Sequence, residues 1–97
     1  MTSGDTPAHR PVVDDLVDHN REFGRTFEWG GRRANPSRAV AVVTCMDARI
    51  EPLSALGLEV GEAHIIRNGG GVVTDDVIRS LSLSQRSLGT REIIVMH

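Results

Sequence analysis

The sequence predicts an α/β fold in which a mostly parallel β-sheet is flanked by helices and preceded by an N-terminal helix. Three short apolar runs, typical of strands, alternate with segments whose apolar residues recur every three or four positions, which is typical of helices. Such alternation indicates right-handed parallel βαβ units. The length of 97 residues suits one small domain with a thin core, which we expect to occupy residues 11–97.

The N-terminal region divides into a polar tail and a helix. Residues 1–10 are polar, contain glycine and proline and lack periodicity, so we expect a flexible tail. A helix is predicted from Pro11 to about Glu28, because proline suits a first helical position and Asp14 and Asp15 suit the positive end of the helix dipole. Its apolar face is expected to pack against the chain's own sheet or against a second subunit. The positions with helical spacing are Val13, Leu16, Asn20, Phe23 and Phe27.

Three strands are predicted at residues 39–43, 63–66 and 92–96. The first is an unbroken run of small and β-branched residues, AVAVV, which indicates a strand that is buried on both faces. Because the run stops at reactive side chains, we expect the rest of the chain to be organised around it. The other two runs, AHII and EIIVM, are similarly short and apolar.

Two further helices are predicted from residues that typically begin and end helices. A short helix is expected to begin at Pro52 and to end at Gly57. A longer helix is expected to begin after Thr74, a suitable N-cap residue, and to end at Gly89. Its first turn is acidic and an apolar stripe follows, which favours packing of one face on the sheet.

Composition and charge exclude several classes of function. The chain has eleven basic and thirteen acidic residues, no dense basic run and few aromatic residues. This composition does not indicate a surface that binds nucleic acid or an anionic membrane. We therefore expect a small neutral or anionic substrate. The single cysteine cannot form an internal disulfide and no secretory signal pattern is visible, so a cytoplasmic location is expected. No apolar stretch approaches the length that spans a bilayer.

Reactive side chains follow the first strand directly. Cys45, Asp47 and Arg49 occupy alternate positions and would share one face if the chain stayed extended. Three interpretations are open from these residues alone. Cys45 is a buried small residue beside an ordinary surface ion pair, or a thiolate metal ligand with Asp47 near it, or a nucleophile activated by Arg49.

The ends of the strands favour a functional interpretation. The three predicted strands end at Cys45, at Arg67 and Asn68, and at His97. In parallel sheets the ligand crevice lies beyond the carboxyl ends of the strands, so these side chains are expected to meet there.

Two rival chemistries fit the residues poorly. Glycines 69–71 lack the remaining residues of dinucleotide and P-loop fingerprints, and the two aspartates that follow would repel phosphate. These glycines are expected to permit positive φ angles or a close approach of the backbone to a small ligand. The phosphatase arrangement spaces its cysteine and arginine more widely than Cys45 and Arg49 are spaced, and Asp47 would repel an anionic substrate.

A zinc site accounts for more of these residues. Zinc accepts thiolate, imidazole and carboxylate ligands, and a catalytic site keeps one position open for water. Cys45 and a histidine at the end of a neighbouring strand could supply two ligands, and zinc lowers the pKa of bound water to about 7. Arg67 and Asn68 would then help to orient an oxygen-bearing substrate.

Two segments resemble the β-class carbonic anhydrases. The segment CMDAR, from Cys45 to Arg49, resembles the C-x-D-x-R element, and IRNGG, from Ile66 to Gly70, resembles the R-N-A-G element. The resemblance extends over roughly residues 39–97. It implies zinc-dependent reversible hydration of carbon dioxide to bicarbonate, a Zn²⁺ cofactor, and a homodimer or a multiple of dimers.

The resemblance also implies roles for individual residues. Cys45 and Asp47 would be the metal ligands, and Asp47 and Arg49 the catalytic residues. Asp47 would accept a hydrogen bond from zinc-bound water or occupy the fourth zinc position itself, and Arg49 would hold it off the metal. The residues expected to bind substrate are Arg67, Asn68, Gly69 and Gly70.

The sequence departs from the family pattern in two places. Gly69 stands where the family commonly has alanine. The family completes its zinc site with H-x-x-C after the third strand, and His97 is interpreted as the neighbour of that histidine, which leaves Cys45 and Asp47 as the ligands present. We therefore expect an amino-terminal, partial domain that stops before the second ligand motif. The alternative is a noncatalytic, degenerate domain that binds a small anion or a partner subunit.

Overall fold

The structure, a computed structural model, describes residues 11–97, and the predicted tail over residues 1–10 lies outside them. The chain forms two compact units, of which one ends at Arg32 and the other spans Arg33–His97. Whether residues 11–97 behave as a single domain stays a prediction. The first unit contains α1 (Val12–Thr26), and the second contains β1 (Val40–Cys45), α2 (Pro52–Leu56), β2 (Ala63–Asn68), α3 (Asp75–Leu88) and β3 (Glu92–Met96).

Helix α1 is slightly shorter than the sequence predicts. Pro11 is the N-cap residue with extended backbone angles, φ −57° and ψ 136°, and the chain becomes extended again at Phe27. Acidic residues in the first turn and Arg25 in the last suit the helix dipole. No residue of α1 is buried. Its exposed large apolar residues are Val12, Val13, Leu16, Val17 and Phe23.

The second unit is built on a three-stranded parallel sheet, which confirms the predicted α/β class. The strand order is β2-β1-β3, with β1 hydrogen-bonded to both neighbours. Val42 of β1 lies opposite Ile65 on one side and opposite Ile94 on the other. Because β1 is central, Val42 and Val43 are fully buried, as the apolar run predicts.

The strand boundaries differ from the predicted ones at three points, the two ends of β1 and the end of β2. Ala39 was expected in the first strand but adopts a positive φ of 56°, so β1 begins at Val40 and runs on to Cys45. Strand β2 continues past Ile66 to Asn68. The reason is pairing, because the register of β2 with β1 extends as far as Cys45 opposite Asn68. Strand β3 has the predicted bounds.

The core lies between β1 and α3. It consists of Ala41, Val43, Val77 and Leu81, with the partly buried Ile66 packed against them. The predicted helix ends are confirmed. The Thr74 hydroxyl accepts a hydrogen bond from the Val77 amide at 3.3 Å, and Gly57 and Gly89 close α2 and α3 in left-handed conformations.

A polar network joins β2 to α3. The imidazole of His64 contacts the Ser84 hydroxyl through Nδ1 at 2.6 Å and the Ala34 carbonyl through Nε2 at 2.7 Å. Because a carbonyl only accepts, Nε2 carries the proton in that bond. The hydroxyls of Ser84 and Thr90 lie 2.5 Å apart, and both residues are buried. This network therefore connects Ala34, which precedes β1, with strand β2 and with the end of α3.

Within residues 11–97, no helix combines the length and the apolar character that crossing a membrane requires.

Candidate functional site

The carboxyl ends of the three strands meet at one edge of the sheet, as predicted. Cys45 at the end of β1 lies opposite Asn68 at the end of β2. Thr44 lies opposite Met96 of β3, and His97 follows directly. The sheet thus brings the cysteine, the asparagine and the region of the histidine to the same edge.

The chain turns immediately after Cys45. Residues 45–50 form a loop, here called the cysteine loop, in which the Ile50 amide donates to the Asp47 carbonyl at 3.0 Å. The chain turns at Ala48 and Arg49, so it does not stay extended as the prediction of a shared face for Cys45, Asp47 and Arg49 assumed. One physical reason is local, because the Asp47 carboxylate accepts a hydrogen bond from the Arg49 amide at 2.8 Å and so favours a turn.

Asp47 and Arg49 form a bidentate ion pair. Arg49 Nη2 lies 2.7 Å from Asp47 Oδ2, and Arg49 Nε lies 3.1 Å from Oδ1. The side-chain hydrogen bonds from Arg49 lower the pKa of Asp47 below its ordinary value, with smaller contributions from the Arg49 amide and from the charge of Arg67. The same pairing raises the pKa of Arg49. Asp47 is therefore ionised at neutral pH, and Arg49 controls where its carboxylate points.

Arg67 directs its guanidinium to the backbone of the cysteine loop. Nε donates to the Cys45 carbonyl at 2.9 Å, and Nη2 donates to the carbonyls of Asp47 at 2.9 Å and of Ile50 at 3.1 Å. These atoms of Arg67 are committed to the protein rather than free for a ligand. Strand β2 is in this way joined to the first, middle and last residues of the loop.

Asn68 closes the glycine-rich turn that follows β2. Its amide nitrogen donates to the Val72 carbonyl at 2.7 Å, and its amide oxygen accepts from the Val72 amide at 2.9 Å. A direct contact between this side chain and a substrate would require one of these bonds to break. Gly70 and Gly71 have φ angles of 93° and 64°, so the predicted positive φ angles are confirmed at these two glycines but not at Gly69.

Gly71 belongs to the predicted glycine run but not to the predicted substrate-binding residues, and it lies closest to the backbone of Cys45. A Cβ atom at this position would lie 3.1 Å from the Cys45 amide nitrogen, 3.1 Å from the Thr44 carbonyl carbon and 3.3 Å from the Met96 carbonyl oxygen. The close approach is therefore to the backbone of β1 and β3. At Gly69, by contrast, a Cβ would meet nothing within 4 Å, so alanine would fit there. The available signal was the run of three glycines at a strand end.

The described residues do not by themselves fit a complete metal site. Within residues 11–97, no three histidine, cysteine, aspartate or glutamate side chains are grouped so that they could hold a metal ion. Cys45 is a half-buried free thiol, and the Asp47 carboxylate is held by Arg49. His97 Nδ1 lies 3.1 Å from the Gly70 carbonyl and must donate in that contact. A tetrahedral zinc site would need ligands in addition to these.

Comparison with known proteins gives the family. A family profile described as Carbonic anhydrase matches residues 40–97, which include β1, the cysteine loop and the glycine-rich turn. The chain belongs to the β-carbonic anhydrase family. The family resemblance inferred from the two motifs is thereby confirmed.

The relatives of this chain include carbonic anhydrases and carbon disulfide hydrolases. The chain is 54% identical over 86 residues to β-carbonic anhydrase 1 of Mycobacterium tuberculosis, covering 89% of this chain and 52% of the relative. It is 52% identical over 88 residues to a carbon disulfide hydrolase of an Acidianus species, covering 88% of this chain and 42% of the relative. The crystal structure of a carbonic anhydrase from Streptococcus mutans superposes with a TM-score of 0.81 at 45% identity, covering 92% of this chain and 54% of that one. The chain thus spans about half the length of the relatives it matches.

Proposed function

We propose that this chain supplies the cysteine-bearing part of a zinc-dependent carbonic anhydrase that interconverts carbon dioxide and bicarbonate. The observation that carries the proposal is the cysteine loop, in which an ionised carboxylate, paired with Arg49, follows a half-buried free thiol at a strand end. Family membership supports the same chemistry.

Cys45 is the first ligand in this proposal, as a thiolate, and Asp47 is the catalytic carboxylate that can also turn to the metal. Bound zinc would supply Lewis-acid activation of water near neutral pH. Arg49 holds the Asp47 carboxylate in its ionised form, so that it accepts a hydrogen bond from a group in the site rather than donating one. Within residues 11–97 no cluster of three ligands is present, so Cys45 and Asp47 would hold zinc together with groups outside these residues, such as water or a second copy of the chain.

The substrate lies, in this proposal, beside the turn that follows β2. Arg67 and Asn68 shape this region through their hydrogen bonds to backbone, and Gly69 and Gly70 present an exposed backbone without side chains. A small linear molecule such as carbon dioxide requires little more than such a surface.

The test is an assay of carbon dioxide hydration by the 97-residue chain after addition of zinc. The Cys45→Ser variant is the control, because it removes the thiolate and keeps the size of the side chain. A hydration rate above that of the buffer, lost in Cys45→Ser, supports the proposal. A folded, zinc-treated chain without catalysis would contradict the proposed activity of this chain. It would favour the noncatalytic alternative, in which the domain binds a small anion or a partner.

Carbon disulfide is a second candidate substrate. The observation that favours it is the 52% identity to a carbon disulfide hydrolase, against 54% to a β-carbonic anhydrase. The chain is therefore similar in sequence to relatives of both activities. Carbon dioxide and carbon disulfide are both linear molecules that water attacks at carbon. Release of hydrogen sulfide from carbon disulfide, measured on the same preparation, separates the two functions.

We also propose that the chain acts as a homodimer or a higher homo-oligomer in the cytoplasm. Strand β3 is at the edge of the sheet, and its residues Ile93, Ile94 and Val95 are 39%, 40% and 46% exposed. Apolar side chains on an exposed edge strand favour association. Sedimentation of the purified chain measures this directly, and a monomer at all concentrations would contradict it. The free Cys45 thiol, which a metal site requires in its reduced form, supports the proposed cytoplasmic location.

A further inference from the structure

The interaction between Arg67 and the cysteine loop joins two parts of the chain that are far apart in sequence. Three loop carbonyls, those of Cys45, Asp47 and Ile50, accept hydrogen bonds from this one guanidinium. Two of these bonds share Nη2, and the third comes from Nε. The loop is thus held at its start, its middle and its end by a side chain of β2.

The backbone of Arg67 is held within the sheet. Arg67 lies within β2, opposite Thr44 of β1 in the parallel register. Its neighbour Ile66 packs against the core between β1 and α3. Because successive strand residues point to opposite faces, Arg67 is directed away from that core and towards the cysteine loop. The sheet therefore fixes the backbone from which the guanidinium reaches the cysteine loop.

Two arginines divide the positioning of Asp47. Arg67 holds the Asp47 carbonyl, which also accepts from the Ile50 amide at 3.0 Å, and so fixes the main chain. Arg49 holds the Asp47 carboxylate and so fixes the side chain. Arg49 can release the carboxylate without moving the loop only if the main chain is held independently.

We propose that Arg67 is a positioning residue that fixes the backbone of the cysteine loop, and through it the placement of the Cys45 thiol and the Asp47 carboxylate. The significance of this role for catalysis rests on the proposed function, whereas the loop restraint itself does not. Arginine is required because its planar fork reaches several acceptors in fixed directions, which a lysine ammonium cannot reproduce. Arg67 acts through the loop and not by touching the substrate.

The test is amide hydrogen exchange by NMR on the 97-residue chain and on its Arg67→Met and Arg67→Lys variants. The reporters are the amides of Arg49 and Ile50, which close the loop, and those of Val42 and Val43 in β1. We expect Arg67→Met to raise exchange of the two loop amides about tenfold or more and to leave the β1 amides unchanged, because only the loop is released. Arg67→Lys is expected to give a smaller increase, since one nitrogen cannot replace the three bonds.

The matched control is Arg79→Met, which removes an exposed arginine from α3 and leaves the loop bonds intact. Unchanged exchange of the loop amides in Arg67→Met would overturn the proposal. An equal increase in loop and strand amides, in both Arg67 variants, would also overturn it, because Arg67 would then act on global stability. A chain that binds no zinc but shows loop-selective exchange would keep the Arg67 assignment and refute the proposed function.

Discussion

The pairing of Asp47 with Arg49 determines which chemistry the cysteine loop can offer. An exposed ion pair contributes little to stability, so its value lies in the direction and the ionisation of the carboxylate. Asp47 has a lowered pKa when folded, so any stability that it contributes is present above its ordinary pKa and is lost as the pH falls through the lowered one.

The pKa of Asp47 gives a prediction at this scale. In the Arg49→Gln variant the side-chain hydrogen bonds that lower the pKa are lost, so the Asp47 carboxyl is expected to titrate at a higher pH than in the original chain. The measurement is the NMR shift of the carboxyl carbon as the pH is lowered. An unchanged midpoint in Arg49→Gln would show that the pair does not form in solution.

Gly71 and Gly69 give a matched pair of substitutions. Gly71→Ala forces a Cβ to within 3.1 Å of the Cys45 backbone at a φ of 64°, so it is expected to destabilise the fold by about 1–3 kcal/mol. Gly69→Ala meets nothing within 4 Å and is expected to change the free energy of unfolding by less than about 0.5 kcal/mol. Urea denaturation of both variants measures the difference, and equal effects would contradict the close approach behind Cys45.

The sequence identifies the residues of the site better than their geometry. Cys45, Asp47 and Arg49 are conspicuous because a thiol, a carboxylate and a guanidinium follow an apolar run. Their mutual arrangement could not be predicted from spacing, because the turn depends on the Asp47 side chain and on Arg67, which comes from another strand. Such long-range hydrogen bonds leave no local pattern.

The elements of the fold are joined by polar contacts as well as by the small core. Ser84→Ala would leave the His64 imidazole and the Thr90 hydroxyl without their shared partner in a buried place. An expected loss of about 1–3 kcal/mol follows from the cost of an unsatisfied buried polar group. Thermal or urea unfolding is the measurement, with Ser87→Ala, an exposed serine of α3, as the control. Equal stability of the two variants would show that the network contributes nothing.

The ends of α2 and α3 were predictable, whereas the bounds of β1 and the end of β2 were not, for a physical reason. Pro52, Gly57, Thr74 and Gly89 act on the backbone next to them, so their effects can be read locally. The extension of β2 to Asn68 depends instead on hydrogen bonds to β1. The start of β1 likewise depends on the positive φ of Ala39, a conformation that its sequence does not signal.

At the scale of the whole molecule, the pattern of strands and helices specifies an α/β sheet but not the order of its strands. Parallel crossovers allow a later strand to lie on either side of an earlier one, and here β1 lies between β2 and β3. The central place of β1 puts Cys45 between the two neighbouring strand ends. The family relatives, about twice as long, match this sheet and its flanking helices over about half their length.

Zinc content tests the central claim, that Cys45 is a zinc ligand, most directly. The 97-residue chain and its Cys45→Ser variant would be loaded with zinc and dialysed, and metal per chain measured while circular dichroism confirms that both are folded. The account predicts bound zinc in the original chain that is lost in Cys45→Ser. Equal zinc in the two chains, or none in a folded original chain, would contradict it and would leave the shared fold as the only link to carbonic anhydrase chemistry.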